Sequence, residues 1–146
     1  MIKILIVDDS PTARAVLSHL LEQDPEIQVM GFATDGRQAV EMAVRLKPDL
    51  ITMDVEMPDM NGLEATRLIM AKRPTPIVIV TGHAHTSKLD VAFEAMKAGA
   101  MEVIPKPIDF GAGENDTWEE DLLAKIKTLA GIQPQTIADL GLRNAE

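Results

Sequence analysis

Asp8 and Asp9 close the apolar run "ILIV", Asp54 closes "LITM", Thr81 and Gly82 follow "IVIV", and Lys106 follows "MEVI" between two prolines. Asp54 has no Lys or Arg beside it in the chain. A carboxylate at the rim of a core is costly unless something pairs with it, so its partners must come from distant sequence. Three carboxylates gathered at one place repel and raise one another's pKa values. A hard divalent cation removes that conflict, and carboxylates, a backbone carbonyl and waters are the ligands Mg²⁺ prefers. Two or three protein ligands leave positions open, and phosphate oxygens fill them. Lys106 adds a mobile point charge suited to a phosphoryl oxygen. The Thr81 hydroxyl can donate to another oxygen, helped by backbone N–H groups around residues 55 and 82. That is equipment for phosphoryl transfer, where catalysis is chiefly positioning and neutralisation of charge. Asp8 and Asp9 are adjacent and share a metal role naturally. Asp54 stands alone, and carboxylates form acyl phosphates by nucleophilic attack, so Asp54 is the expected nucleophile.

These residues meet only if the chain folds to bring strand ends together. The strand candidates are Ile2 to Val7, Ile27 to Ala33, Leu50 to Met53, Ile77 to Val80 and Met101 to Ile104. Most are short continuous apolar runs, as expected for parallel strands covered on both faces. The second mixes in Gln28 and belongs nearer an edge. Helical patterns lie between them, with recognisable starts and stops. Ser10-Pro11 supplies a capping hydroxyl and an N1 proline, and Asp35 can cap the second helix. Gly62 opens the third. Ser87 with Asp90 and Thr117 with Glu120 resemble capping boxes for the fourth and fifth, which stop at Gly99 and Gly131. The pattern is (βα)5, an α/β class with a doubly wound, parallel five-stranded sheet. In such sheets the ligand crevice lies beyond the carboxyl ends of the strands, which is where the acids, the threonine and the lysine fall. Residues 1–130 are the expected domain and 131–146 a linker or tail, with Ile108 to Asp116 as a polar, Gly-rich connection.

The bulk properties exclude several classes. The 146 residues suit one domain with a real core. A formal charge of −9 opposes nucleic acid, whose phosphates would be repelled. No apolar stretch approaches the roughly 18 residues of a membrane span, and "MIKILIVDD" lacks the apolar core of a signal peptide. Zero cysteines remove disulfides, thiol nucleophiles and Cys-zinc sites. The expected location is the cytoplasm.

The blocks "LIVDDS", "DLITMDVEMPDMNG", "IVTG" and "GAMEVIPKP" resemble the receiver domain of two-component response regulators, over residues 1 to about 130. The resemblance implies a flavodoxin-like sheet in the order 2-1-3-4-5. It implies Asp54 as phosphoacceptor from a histidine kinase, with Asp9 and Asp54 ligating Mg²⁺ directly, Asp8 acting largely through water and the Glu56 carbonyl completing the protein ligands. Lys106 would contact the phosphoryl group across a cis bond to Pro107, and Thr81 would swing toward the phosphate. A downstream output domain or protein would read the change. One departure stands out: receivers often carry Tyr or Phe three residues before the lysine, and here that position is Val103. A loop shift around residues 82 to 90 is expected to carry more of the change. "VEMPDMNGLEA" and "AKRPTPIVIVT" resemble most the receivers of chemotaxis protein-glutamate methylesterases, yet no G-x-S-x-G nucleophile elbow is present.

Each element taken singly has a plainer explanation: Asp-Asp before Ser-Pro is turn and cap chemistry, and Lys-Pro is a solvated loop. Their order along one sheet edge carries the signal. An aspartyl-phosphate phosphatase remains an alternative, but it needs a cap and a further acid–base carboxylate. A flavodoxin-type cofactor binder is disfavoured by three rim acids and few aromatics. His19, His83 and His85 are read as surface and loop residues, the nine methionines as core, and Trp118 as packing at the start of the last helix. "GAGEND" lacks the Gly-Lys-Ser/Thr ending of a phosphate-binding loop.

Overall fold

The computed structural model describes residues 1–82, 88–107 and 116–132. Strands and helices alternate strictly: β1 (Ile2–Val7), α1 (Pro11–Glu22), β2 (Ile27–Ala33), α2 (Gly36–Leu46), β3 (Leu50–Met53), α3 (Gly62–Lys72), β4 (Ile77–Thr81), α4 (Lys88–Ala98), β5 (Glu102–Pro105) and α5 (Asp116–Leu129). All pairings are parallel and the sheet order is β2-β1-β3-β4-β5, the order the resemblance implies. β2 is an edge, as Gln28 suggested, and its register with β1 slips between Ile4 and Leu5.

Local chemistry explains the helix ends. The Ser10 hydroxyl accepts from the Ala13 N–H, and the Asp35 carboxylate accepts from Gln38, each satisfying an amide the first turn leaves open. Lys47 ends α2 in the left-handed region at φ 54°. Gly62 opens α3 as expected, as its first helical residue, and Asn61 before it is the cap, its carbonyl oxygen accepting from Leu63 and Glu64. One expectation needs correction. Thr117 lies inside the first turn of α5, so it is not that helix's cap. Ser87, the expected cap of α4, lies outside the described residues.

Successive strand residues point to opposite faces, and the sheet therefore carries two cores. One gathers Leu5, Val7, Ile51, Met53, Ile77 and Ile79 with Ala39, Ala43, Ala65, Ile69 and Ala95. The other gathers Ile4, Ile6, Leu50, Val78 and Val80 with Leu17, Leu21, Leu122 and Ile126. Burying each large aliphatic side chain stabilises the fold by about 1.5–3 kcal/mol. None of the described helices is long and apolar enough to cross a membrane.

Thr52 interrupts the second core. It pairs in register with Ile6 and Val78, is 1% exposed, and its hydroxyl has no hydrogen-bond partner among the described residues. A buried hydroxyl without a partner costs free energy that an isosteric methyl does not. Thr52→Val is therefore expected to stabilise the protein by about 1 kcal/mol, a rise of about 2–4 °C in Tm. Thermal unfolding checks it, and a lower Tm would show that the hydroxyl is satisfied.

Candidate functional site

Because β1 and β3 are neighbours at the centre of the sheet, their carboxyl ends place Asp8, Asp9 and Asp54 side by side. Carboxylate oxygens from the three lie within 4.8 Å of one another. Asp8 and Asp54 are buried while Asp9 is exposed. Lys106 arrives from the end of β5, two strands away. Its ammonium donates to Asp8 Oδ2 at 2.6 Å and lies 3.9 Å from Asp54 Oδ2. Thr81 ends β4, and its carbonyl accepts from the Lys106 N–H at 2.7 Å. Asp9, Asp54, Glu56, Met57, Pro58, Thr81, Gly82 and Lys106 line a cavity of about 610 Å³. Residues up to 98 positions apart in sequence thus share one cleft.

Asp8 is held on every side. Its N–H donates to Ala33, its carbonyl accepts from the Arg14 guanidinium at 2.9 Å, and Oδ1 accepts from the Ser10 N–H. Asp54 is held less: its N–H donates to Val7 and its Oδ1 accepts from the Val55 N–H. Burial first, and then the charges of Asp8 and Asp9, raise the Asp54 carboxyl from 3.8 to about 6 against the pull of Lys106 and the Val55 N–H. One ammonium does not offset three acids. The donor group is all oxygen, with carboxylates converging from two strands, and it fits a hard cation such as Mg²⁺.

The β3–α3 connection forms one wall and is fixed by backbone contacts. Gly62 N–H donates to Val55, and Gly36 N–H to Met60. A Cβ on Gly62 would stand 1.9 Å from the Asp54 carbonyl oxygen, so only glycine permits this approach. Asp59, in the left-handed region at φ 69°, receives Arg37 Nε at 2.9 Å.

All six expected site residues (Asp8, Asp9, Asp54, Glu56, Thr81 and Lys106) border this cleft directly or, for Asp8, through Lys106. Val103 does not join them; it packs, partly buried, against the α2–α4 core. The expected cis Lys106–Pro107 bond is absent, since the described residues contain no cis peptide, and Lys106 reaches Asp8 across a trans bond. His83, His85 and most of the loop at 82–90 and of Ile108 to Asp116 lie outside the described residues, as does the tail from 133. Sequence reasoning passed over Arg14, a helix residue with no partner legible from spacing. It also read Trp118 as packing alone, whereas its indole N–H donates to the Pro105 carbonyl at 2.8 Å.

Comparison with known proteins bears on this arrangement. The family model described as "Response regulator receiver domain" matches residues 4–115. A protein-glutamate methylesterase/protein-glutamine glutaminase of Syntrophus aciditrophicus is 45% identical over 133 residues, covering 91% of this chain and 38% of that protein. Its counterpart from Thermotoga maritima is 40% identical over 137 residues, or 94% and 40% of the two. The chain therefore spans well under half the length of these relatives. Among solved structures, the response regulator domain of Thermotoga maritima CheB superposes with a TM-score of 0.79 at 39% identity, covering 92% of this chain and 99% of that one. The receiver domain of the Pseudomonas aeruginosa sensor kinase PA1611, solved with magnesium in its active-site cleft, gives a TM-score of 0.71 at 28% identity, with coverage of 89% and 98%.

Proposed function

The chain belongs to the response regulator receiver family of two-component signalling, and from that membership we propose that Asp54 accepts a phosphoryl group from a histidine kinase. The observation that carries the proposal is the cleft itself, where Lys106 sits 2.6 Å from Asp8 and 3.9 Å from Asp54 beside the exposed Asp9. An Asp54 oxygen attacks phosphorus. A P–O bond forms, the P–N bond of the kinase's phosphohistidine breaks, and the departing imidazole nitrogen takes a proton from solvent. Asp9, Asp54 and the Glu56 carbonyl are the residues that would hold Mg²⁺, with Asp8 behind them through water. When bound, the ion supplies neutralising charge to the transferring group.

Lys106 leaves Asp8 to meet the phosphoryl oxygens, a short movement for a flexible ammonium. Thr81 donates its hydroxyl to another of those oxygens. Water later attacks the acyl phosphate, releasing inorganic phosphate and restoring the carboxylate. The readout surface is α4, β5 and α5, where Phe93 and Met96 are 64% and 55% exposed and offer an output domain or protein an apolar patch. Identity to methylesterases over little more than a third of their length favours the regulatory part of a chemotaxis methylesterase, acting in the cytoplasm.

The test is direct. Incubated with acetyl phosphate and Mg²⁺, the wild-type chain is expected to gain one adduct of ~80 Da, a single phosphoryl group. Asp54→Ala gains none, and EDTA abolishes labelling of the wild type. Labelling that survives the Asp54 substitution would overturn the assignment.

A further inference from the structure

We infer that Trp118 is a positioning residue for Lys106: its indole N–H clamps the peptide that carries the lysine and so ties the phosphorylation cleft to α5. The inference rests on the phosphoacceptor reading above and deepens it. β5 is a four-residue strand at the edge of the sheet, paired among the described strands with β4 alone. Its last residue is a proline, which takes one ladder donor from the strand just before Lys106. The sheet holds the Pro105–Lys106 peptide from the β4 side alone, although the lysine it launches must find its mark to within an ångström or so.

Two hydrogen bonds hold that peptide, one on each of its polar atoms. The Lys106 N–H donates to the Thr81 carbonyl at 2.7 Å, and the Pro105 carbonyl accepts from Trp118 Nε1 at 2.8 Å. The first ties the lysine to the residue bearing the candidate switch hydroxyl. The second ties it to the first turn of α5. Trp118 is itself seated by packing against the core that holds Leu122 and Ile126, so the clamp stands on a rigid base. Tryptophan suits the task because a large ring can pack while its N–H stays available as a donor. The contact also supplies an aromatic link from the lysine to the α5 face in a chain whose position 103 is valine.

The test removes the N–H and keeps the ring. Trp118 is the sole tryptophan, so biosynthetic replacement by benzothienylalanine exchanges only N–H for sulfur; Trp118→Phe is the simpler companion, and the isostere decides where they differ. Initial labelling rates with acetyl phosphate and Mg²⁺ are expected to fall about threefold to tenfold, the size one net hydrogen bond supports. Mg²⁺ affinity by calorimetry should stay within about twofold, because Lys106 is not a metal ligand and the lost interaction belongs to the transfer step. Labelling at the wild-type rate overturns the inference. So does a parallel fall in rate and Mg²⁺ affinity, which would mark general loosening. If the wild-type chain is not labelled, or Asp54→Ala still is, the phosphoacceptor reading fails first and separately.

Discussion

Gly62→Ala is expected to cost the fold about 2–4 kcal/mol, the range for forcing atoms into a packed site with no room to yield. The methyl would stand 1.9 Å from the Asp54 carbonyl oxygen and 2.9 Å from the Met53 side chain. The first contact is with backbone, which cannot rotate away. Relief requires α3 to retreat from β3, which breaks the Gly62 N–H bond to Val55 and disturbs the Asn61 cap one residue earlier. At this size of domain the loss corresponds to a fall in Tm of about 5–15 °C. Because the displaced carbonyl belongs to Asp54, labelling by acetyl phosphate should fall as well, even at temperatures where the variant is folded. Gly82→Ala is the control. It lines the same cavity, but its added Cβ meets nothing within 4 Å among the described residues, and its stability should stay within about 0.5 kcal/mol of wild type. Equal Tm values for Gly62→Ala and wild type would mean the close approach is not a constraint.

Much of this architecture was legible because it depends on pattern. Strand boundaries at Ile2–Val7, Ile27–Ala33 and Leu50–Met53 follow from apolar runs bounded by charge or turn residues. The cleft was legible for a topological reason: parallel strands send all their carboxyl ends to one edge, so Asp8, Asp54, Thr81 and Lys106 had to converge. What escaped depends on geometry finer than pattern. Asn61 and Gly62 both begin helices plausibly, and only the backbone dihedrals separate cap from first residue. Thr117 looked like a cap because Glu120 follows it three residues on, yet α5 starts one residue earlier. Lys106 was expected to serve a phosphoryl oxygen, and its ammonium sits closer to Asp8 than to Asp54, a choice set by ångström differences between two acids. The Trp118 bond joins residues 13 apart across a connection whose course no propensity rule gives.

The cleft's chemistry also conflicts with the stability of the fold, and that conflict is measurable. In EDTA near neutral pH, Asp54→Asn is expected to be more stable than wild type by about 1–3 kcal/mol. The Asp54 carboxyl has a pKa raised from 3.8 to about 6, first by burial and then by Asp8 and Asp9, with Lys106 and the Val55 N–H only partly offsetting them. Between these two values the native state binds more protons than the unfolded chain. Stability of the wild type therefore falls as pH rises through this window, and the full penalty is present above about pH 6. Two units correspond to roughly 3 kcal/mol, and solvent reaching the open cleft reduces that figure. Asparagine keeps an oxygen for the Val55 N–H and carries no charge, so it escapes the penalty. Its advantage should shrink as pH falls toward 4, where the native carboxyl is protonated and the unfolded one begins to be. Mg²⁺ should close the gap from the other side, because a ligand that binds only the native state stabilises it by mass action and the substitution removes a candidate ligand. Urea unfolding of both proteins, with and without Mg²⁺ across this pH range, reads all three effects. An Asp54→Asn protein less stable than wild type in EDTA near pH 7.5 would mean that the acids are already balanced without a metal, and the strain proposed for this cleft would not exist.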